Sequence, residues 1–174
     1  LRSGAGAILD GLEIPVTHHT GDGYDPIGTT LFSVERPFTS RFPMAGQQAP
    51  DLAVPLLSGD ATTLTGGRRT LLLVLDLRCA VCRDGLGMVA EKVRTVAGAI
   101  RVLALSWGDD TAAREIATAL GPNVAVSVQP DTRLLKQFGM VHAPSAVVLD
   151  DAGTVLFDTA IGAGAIVALL ESVA

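Results

Sequence analysis

The only two cysteines of the chain, Cys79 and Cys82, lie three positions apart. They follow the uninterrupted apolar run Leu71–Leu75 and precede a segment whose apolar residues recur at helical spacing. Two cysteines cannot supply a framework of structural disulfides. At this spacing they indicate either a redox pair or half of a metal site.

The first thiol is predicted to lie at a helix N-terminus, because the strand before it ends near Asp76. Unpaired N–H groups and the helix dipole favour an anion there, and a thiol so placed has a lowered pKa. Arg78 and Arg83 can add positive charge. One helical turn brings the second sulfur close enough to attack a mixed disulfide. We therefore predict that Cys79 is the nucleophile and Cys82 the resolving thiol; two buried structural thiols are the other interpretation.

The elements that must position these thiols alternate between strand and helix. Residues 49–64 predict a β-hairpin, and residues 70–75 predict a central strand covered on both faces. The later elements are expected in the order helix, strand, helix, strand, helix, strand, strand, helix, at residues 79–97, 101–106, 111–120, 124–128, 131–138, 145–150, 154–157 and 163–173. This order predicts an α/β fold with a mixed central sheet flanked by helices.

The N-terminal quarter of the sequence differs from the rest. Residues 1–45 carry scattered glycine and proline and show no sustained period of 2 or 3.6 residues. They are predicted to form an extended N-terminal arm or linker, and residues 46–174 are predicted to form one domain.

Composition limits the classes of partner. The net charge is −5 and only two lysines occur, so no basic face favours nucleic acid. The apolar runs are far shorter than the ~20 residues that a membrane helix needs. The sequence begins at Leu1 rather than at Met, and we expect that a signal or membrane anchor can precede it.

Residues 47–174 resemble a thioredoxin-like domain of the TlpA and redoxin branch. Three blocks carry the resemblance: GQQAPDLAVPLLSGDATTLTGGRRTLLLVL, the motif CAVC, and VHAPSAVVLDDAGTVL. The phrases LDLRCAVCRDGL and APSAVVLDDAGTVL are most similar to MauD-type proteins, the thiol oxidoreductases that accompany methylamine dehydrogenase. The resemblance implies exchange of protein disulfides through a redox-active Cys79–Cys82 disulfide, with no organic cofactor or metal.

The resemblance also implies roles for residues that spacing alone does not assign. Pro144 is expected to be a cis proline that faces the two cysteines, and the backbone of Ala143 is expected to pair with an extended substrate segment. His142 and Arg78 are expected to support the site. The implied partners are client protein thiols or disulfides and a redox partner protein. The implied location is extracytoplasmic, in the bacterial periplasm or cell envelope, with tethering through an N-terminal anchor.

Some positions depart from the family pattern. The sequence DLR stands where an aromatic residue usually precedes the first cysteine, and Leu73 occupies the position of the buried proton-handling carboxylate. Asp76 could substitute for that carboxylate, but a solvated turn residue is the favoured interpretation. These departures leave the direction of catalysis open.

Three other classes compete with the oxidoreductase. An SCO-type copper delivery protein would use Cys79, Cys82 and His142 as ligands, a reasonable donor set for copper; SCO motifs, however, place three residues between the cysteines and lack the proline. A peroxiredoxin would need proline and threonine just before the first cysteine, and VLDLR supplies neither. A non-catalytic binding module would not need both thiols.

Overall fold

The computed structural model describes residues 7–9, 12–14, 42–65, 67–129, 133–140 and 142–173. The chain divides into two units, Leu1–Thr39 and Ser40–Ala174. In the first unit, strand β1 (Ala7–Leu9) pairs antiparallel with strand β2 (Leu12–Ile14). Most of the predicted arm lies outside the described residues, and its boundary at residue 45 stays a prediction.

The strands of the second unit form a small hairpin and one larger sheet. The hairpin joins β3 (Ala53–Pro55) to β4 (Ala61–Thr63), as predicted. The sheet contains β5 (Thr70–Leu75), β6 (Arg101–Ser106), β7 (Val124–Val128), β8 (Ser145–Leu149) and β9 (Ala160–Ile161). Its strand order is β7-β6-β5-β8-β9, with β5, β6 and β7 parallel and β8 antiparallel to β5 and β9. The predicted mixed α/β sheet is therefore confirmed.

Four helices of the described residues connect these strands: α1 (Ala80–Val96), α2 (Asp110–Leu120), α3 (Arg133–Phe138) and α4 (Ala163–Val173). The carboxylate of Asp109 caps α2 by accepting a hydrogen bond from the N–H of Ala112 at 2.9 Å. The predicted start of α3 at Asp131 lies outside the described residues. No helix in the described part of the chain combines the length and the apolar character that crossing a membrane requires.

Strand β5 is buried on both faces, and every one of its residues is inaccessible to solvent. Leu71, Leu73 and Leu75 pack in a cluster with apolar residues of α1, α2 and α4. Leu72 and Val74 point to the opposite face, where they pack with α3 and with residues of the β3–β4 hairpin. Burial on two faces explains why this strand is a continuous apolar run rather than an alternating one.

The segment at residues 154–157 returns antiparallel beside β8, as predicted, but it forms isolated bridges to Leu149 and Gln48 rather than a continuous strand. Strand β8 also pairs with β9, which was not predicted. Residues 43–48 lie along the other edge of this segment, where the N–H and the carbonyl of Val155 bond to them at 2.9 and 2.8 Å. On the edge that faces β8, the N–H of Leu156 donates to the carbonyl of Val148 at 2.8 Å.

The turn after β8 depends on Gly153, which has a φ of +85°. A Cβ atom at this position would lie 2.7 Å from Cγ2 of Thr65. We predict that Gly153→Ala lowers the free energy of unfolding by about 2 kcal/mol or more, because a left-handed backbone and a steric clash both oppose it. Gly59→Ala is the matched control: its φ is +94° with no atom within 4 Å, so about 1 kcal/mol is expected. Equal losses in urea denaturation would contradict this account of the turn.

Candidate active site

Cys79 is the N-cap residue of α1, at the carboxyl edge of the sheet. Its N–H donates to the carbonyl of Asp76 at 3.0 Å, and its own carbonyl accepts the N–H of Arg83 at 3.2 Å. The side chain is half-buried and makes no capping hydrogen bond. The sulfur therefore lies at the amino end of a seventeen-residue helix, which confirms the predicted placement.

Cys82 is almost completely buried, with 1% of its surface exposed. Its sulfur accepts the N–H of Asp76 at 3.5 Å, and the side chain of Cys79 lies close to it. Burial raises the pKa of Cys82 to about 11; the charge and the hydrogen bond of Cys79 add to this, while the N–H of Asp76 opposes it. Cys82 is consequently a protonated thiol at neutral pH, in contact with the more accessible Cys79.

Asp76 is not the solvated turn residue that the sequence predicted. Its carboxylate receives two hydrogen bonds from the Arg78 guanidinium, at 2.9 and 3.0 Å, and a third from the Arg78 backbone N–H at 3.0 Å. Burial favours a raised pKa for Asp76, but the hydrogen bonds and the charge of Arg78 outweigh burial and hold the pKa below its ordinary value. The Asp76 carboxylate is therefore ionised and paired.

The side chains of both arginines near the thiols donate hydrogen bonds to backbone carbonyls in or beside this turn. Arg78 also donates to the carbonyl of Trp107 at 3.1 Å, which ties the turn after β5 to the turn after β6. Arg83 donates to the carbonyls of Leu77 and Arg78, at 2.7 and 3.3 Å. The sequence predicts positive charge near Cys79. In the structure, both guanidinium groups are already hydrogen-bonded, that of Arg78 to a carboxylate and a carbonyl and that of Arg83 to two carbonyls.

The segment before β8 lies beside the same edge of the sheet. Ser145 is in register with Val74, near the end of β5, and the peptide bond between Ala143 and Pro144 is cis. The carbonyl of Pro144 accepts the N–H of Gly162 at 2.9 Å. Ala143 is half-buried, and its backbone N–H and carbonyl form no hydrogen bond within the described residues.

His142 does not join the cysteines. It is exposed, its ring lies 5.1 Å from that of Phe42 between centroids, and its carbonyl accepts the hydroxyl of Ser145 at 2.6 Å. Across the described ranges, no group of three or more His, Cys, Asp or Glu side chains is arranged to hold a metal ion. The copper alternative is therefore not favoured, because its three donors are not brought together.

Trp107 is a neighbour of the site that the sequence analysis did not assign. Its backbone N–H donates to the carbonyl of Leu75 at 2.8 Å, and its backbone carbonyl accepts a hydrogen bond from the Arg78 guanidinium. The predicted order of strands could have placed Trp107 near the site. Parallel neighbouring strands end at the same edge of a sheet, and Trp107 directly follows β6, the neighbour of β5.

The raised pKa of Cys82 predicts a specific loss of stability at alkaline pH. The protonated thiol stabilises the reduced fold fully below about pH 9, and this contribution is lost as the pH rises to about 11, by about 3 kcal/mol in all. Urea denaturation of the reduced protein across this range should show the loss, and Cys82→Ser should not. Parallel stability curves for the two proteins would contradict the assignment.

The chain matches no protein-family model and no curated protein by sequence. Solved structures do resemble it. A candidate thiol:disulfide interchange protein DsbE from Chlorobium tepidum has a TM-score of 0.60 and 20% identity, over 75% of this chain and 96% of its own. The thioredoxin domain of a thiol-disulfide oxidoreductase from Bacteroides vulgatus has a TM-score of 0.59 and 14% identity, over 74% and 96%. A secreted disulfide oxidoreductase from Mycobacterium tuberculosis has a TM-score of 0.54 and 14% identity, over 68% and 96%.

At these identities the comparisons bear on the fold. The matched proteins share the arrangement described above, a mixed sheet flanked by helices. The sheet order, the helices on both faces and these similarities lead to one conclusion: the second unit of this chain has a thioredoxin-like fold.

Proposed function

We propose that this chain is a protein thiol–disulfide oxidoreductase that acts through Cys79 and Cys82. The observation that carries the proposal is the asymmetry of the two thiols: one is half-buried at a helix N-terminus, and the other is buried close to it in the first turn of the same helix. Exchange chemistry needs an accessible attacking sulfur and a second sulfur held close to it.

In the reducing direction, the two thiols react one after the other. The thiolate of Cys79 attacks one sulfur of a client disulfide, which forms a mixed disulfide and releases the other client sulfur as a thiolate that takes up a proton. Cys82 then loses its proton, and its sulfur attacks that of Cys79. The client leaves as a dithiol, and a Cys79–Cys82 disulfide remains, so two electrons have passed to the client. A redox partner protein restores the dithiol.

The oxidising reaction uses the same atoms in the reverse order. The reduction potential of the pair therefore determines the direction: a value near −270 mV is typical of reductants, and one near −120 mV is typical of strong oxidants.

The segment before β8 supports recognition of an extended client. The backbone of Ala143 has unused hydrogen-bonding groups within the described residues, and it lies beside the edge at which Cys79 is placed. We infer that these groups pair with the client backbone next to its reacting cysteine, as the family resemblance implies.

Substitution of each cysteine tests the proposed roles. Cys79→Ser should reduce disulfide exchange with a model protein substrate by about a hundredfold or more, because the attacking thiolate is lost. Cys82→Ser should accumulate a mixed disulfide between Cys79 and the substrate, because resolution is lost. Mass spectrometry of the quenched reaction distinguishes the two products.

Unchanged thermal unfolding of each variant is the control that separates lost chemistry from lost folding. The proposal fails if Cys79→Ser retains full activity. A mixed disulfide that forms at Cys82 instead would reverse the two assigned roles.

We further propose that the protein works outside the cytoplasm and that it is MauD-type within the TlpA and redoxin branch. The phrases around CAVC and Pro144 support the narrower assignment, and one structural neighbour is described as secreted. Alkaline phosphatase, which is active only where disulfides form, should be active when fused to the C-terminus of the full gene product in a bacterial host. An inactive but stable fusion would remove the extracytoplasmic assignment.

A further inference from the structure

A cleft of about 930 Å³ lies at the turn that precedes Cys79, although Cys79 itself does not line it. Leu77 and Arg78, which directly precede the nucleophile, line one side of it. Trp107 and the first turn of α2 line the other. Its volume is in the range of sites that bind small molecules or a few side chains.

The charge of this cleft is negative, although Arg78 lies in it. The guanidinium of Arg78 is already paired with Asp76 and bonded to the Trp107 carbonyl. Three carboxylates also line the cleft, those of Asp109, Asp110 and Glu115. Neither Asp110 nor Glu115 has an ion-pair partner within the part of the chain that the structure describes. A second cation would therefore meet uncompensated negative charge here.

The uncharged walls of the cleft favour the same kind of ligand. Gln129 lines the cleft with only 5% of its surface exposed. Its side-chain N–H donates to the hydroxyl of Ser127 at 2.8 Å, and its amide oxygen has no hydrogen-bond partner among the described residues. Trp107 is half-buried, and an indole face attracts cations. An amide oxygen and an aromatic ring among the lining residues both suit a positively charged donor.

The sheet order places this cleft within reach of a bound client. Strand β5 ends between β6 and β8, so the turn that holds Cys79 lies between the cleft and the segment of Ala143 and Pro144. Arg78, which lines the cleft, directly precedes Cys79, and the Cα atoms of adjacent residues are about 3.8 Å apart. A client segment that rises about 3.3 Å per residue can then insert a side chain within about three residues of its cysteine.

We propose that this cleft selects client segments that carry a lysine or arginine within about three residues of the reacting cysteine. The inference rests on the proposed function, because it assigns a substrate class to the same site. Asp110 and Glu115 are the specificity-determining residues, and Trp107 and Gln129 complete the subsite.

Peptides that differ at one position test the charge preference directly. Three disulfide-linked peptides would carry Lys, Gln or Glu two positions from the cysteine, and second-order rate constants for their reduction would be measured with the reduced protein. We expect the Lys peptide to react about tenfold faster than the Glu peptide at low ionic strength, with Gln between them. The ratio should fall to about threefold or less in an Asp110→Asn, Glu115→Gln double variant.

A Glu91→Gln, Asp151→Asn double variant is the matched control. It removes the same net charge from exposed positions outside the cleft, and it should keep the wild-type ratio. Equal rates for the three peptides would overturn the inference, and so would an equal fall of the ratio in both double variants. Neutral 2-hydroxyethyl disulfide separates the two claims: if it reacts while the peptides show no charge preference, only the subsite is wrong, whereas failure of every disulfide to react removes the proposed function and this inference with it.

Discussion

Burial of β5 on both faces fixes where the chain can turn, and therefore where the two thiols lie. A strand with no solvent-exposed face can leave the sheet only at its end, and the chain does so at Asp76, three residues before Cys79. Helix α1 packs its apolar residues on the same core, so its amino end is fixed at this edge. Apolar packing of β5 and α1 therefore fixes where the two thiols lie, and the N–H of Asp76 adds one contact to the sulfur of Cys82.

Polar groups that would be unfavourable in the apolar core lie together at the edge of the sheet where β5 ends. The ends of β5 and β6 and the start of β8 meet there, which brings Asp76, Trp107 and Pro144 around one turn. Within that turn, Arg78 keeps the Asp76 carboxylate ionised, and burial keeps the Cys82 thiol protonated. Different surroundings therefore give two identical functional groups, three residues apart, different accessibility.

Much of this arrangement could be predicted from the sequence, because its signals are local. The continuous apolar run predicted the bounds of β5 correctly, and the helical spacing after the cysteines predicted both ends of α1 to within one residue. The local pattern also predicted that residues 154–157 return beside β8, but it could not predict that residues 43–48 bond to the other edge of that segment. The ion-paired state of Asp76 was not predicted for a similar reason. Its partner Arg78 is held in place by the carbonyl of Trp107, which follows a different strand.

If Cys79 and Cys82 form one two-electron couple, a redox titration should show a single transition for both thiols. The protein would be equilibrated in glutathione buffers of increasing potential, quenched with acid, and labelled with a maleimide of known mass. Both thiols should disappear together, with no glutathione adduct, as a single intramolecular disulfide forms. Loss of one thiol alone, as a stable glutathione adduct on Cys79 with Cys82 still reduced, would contradict the account.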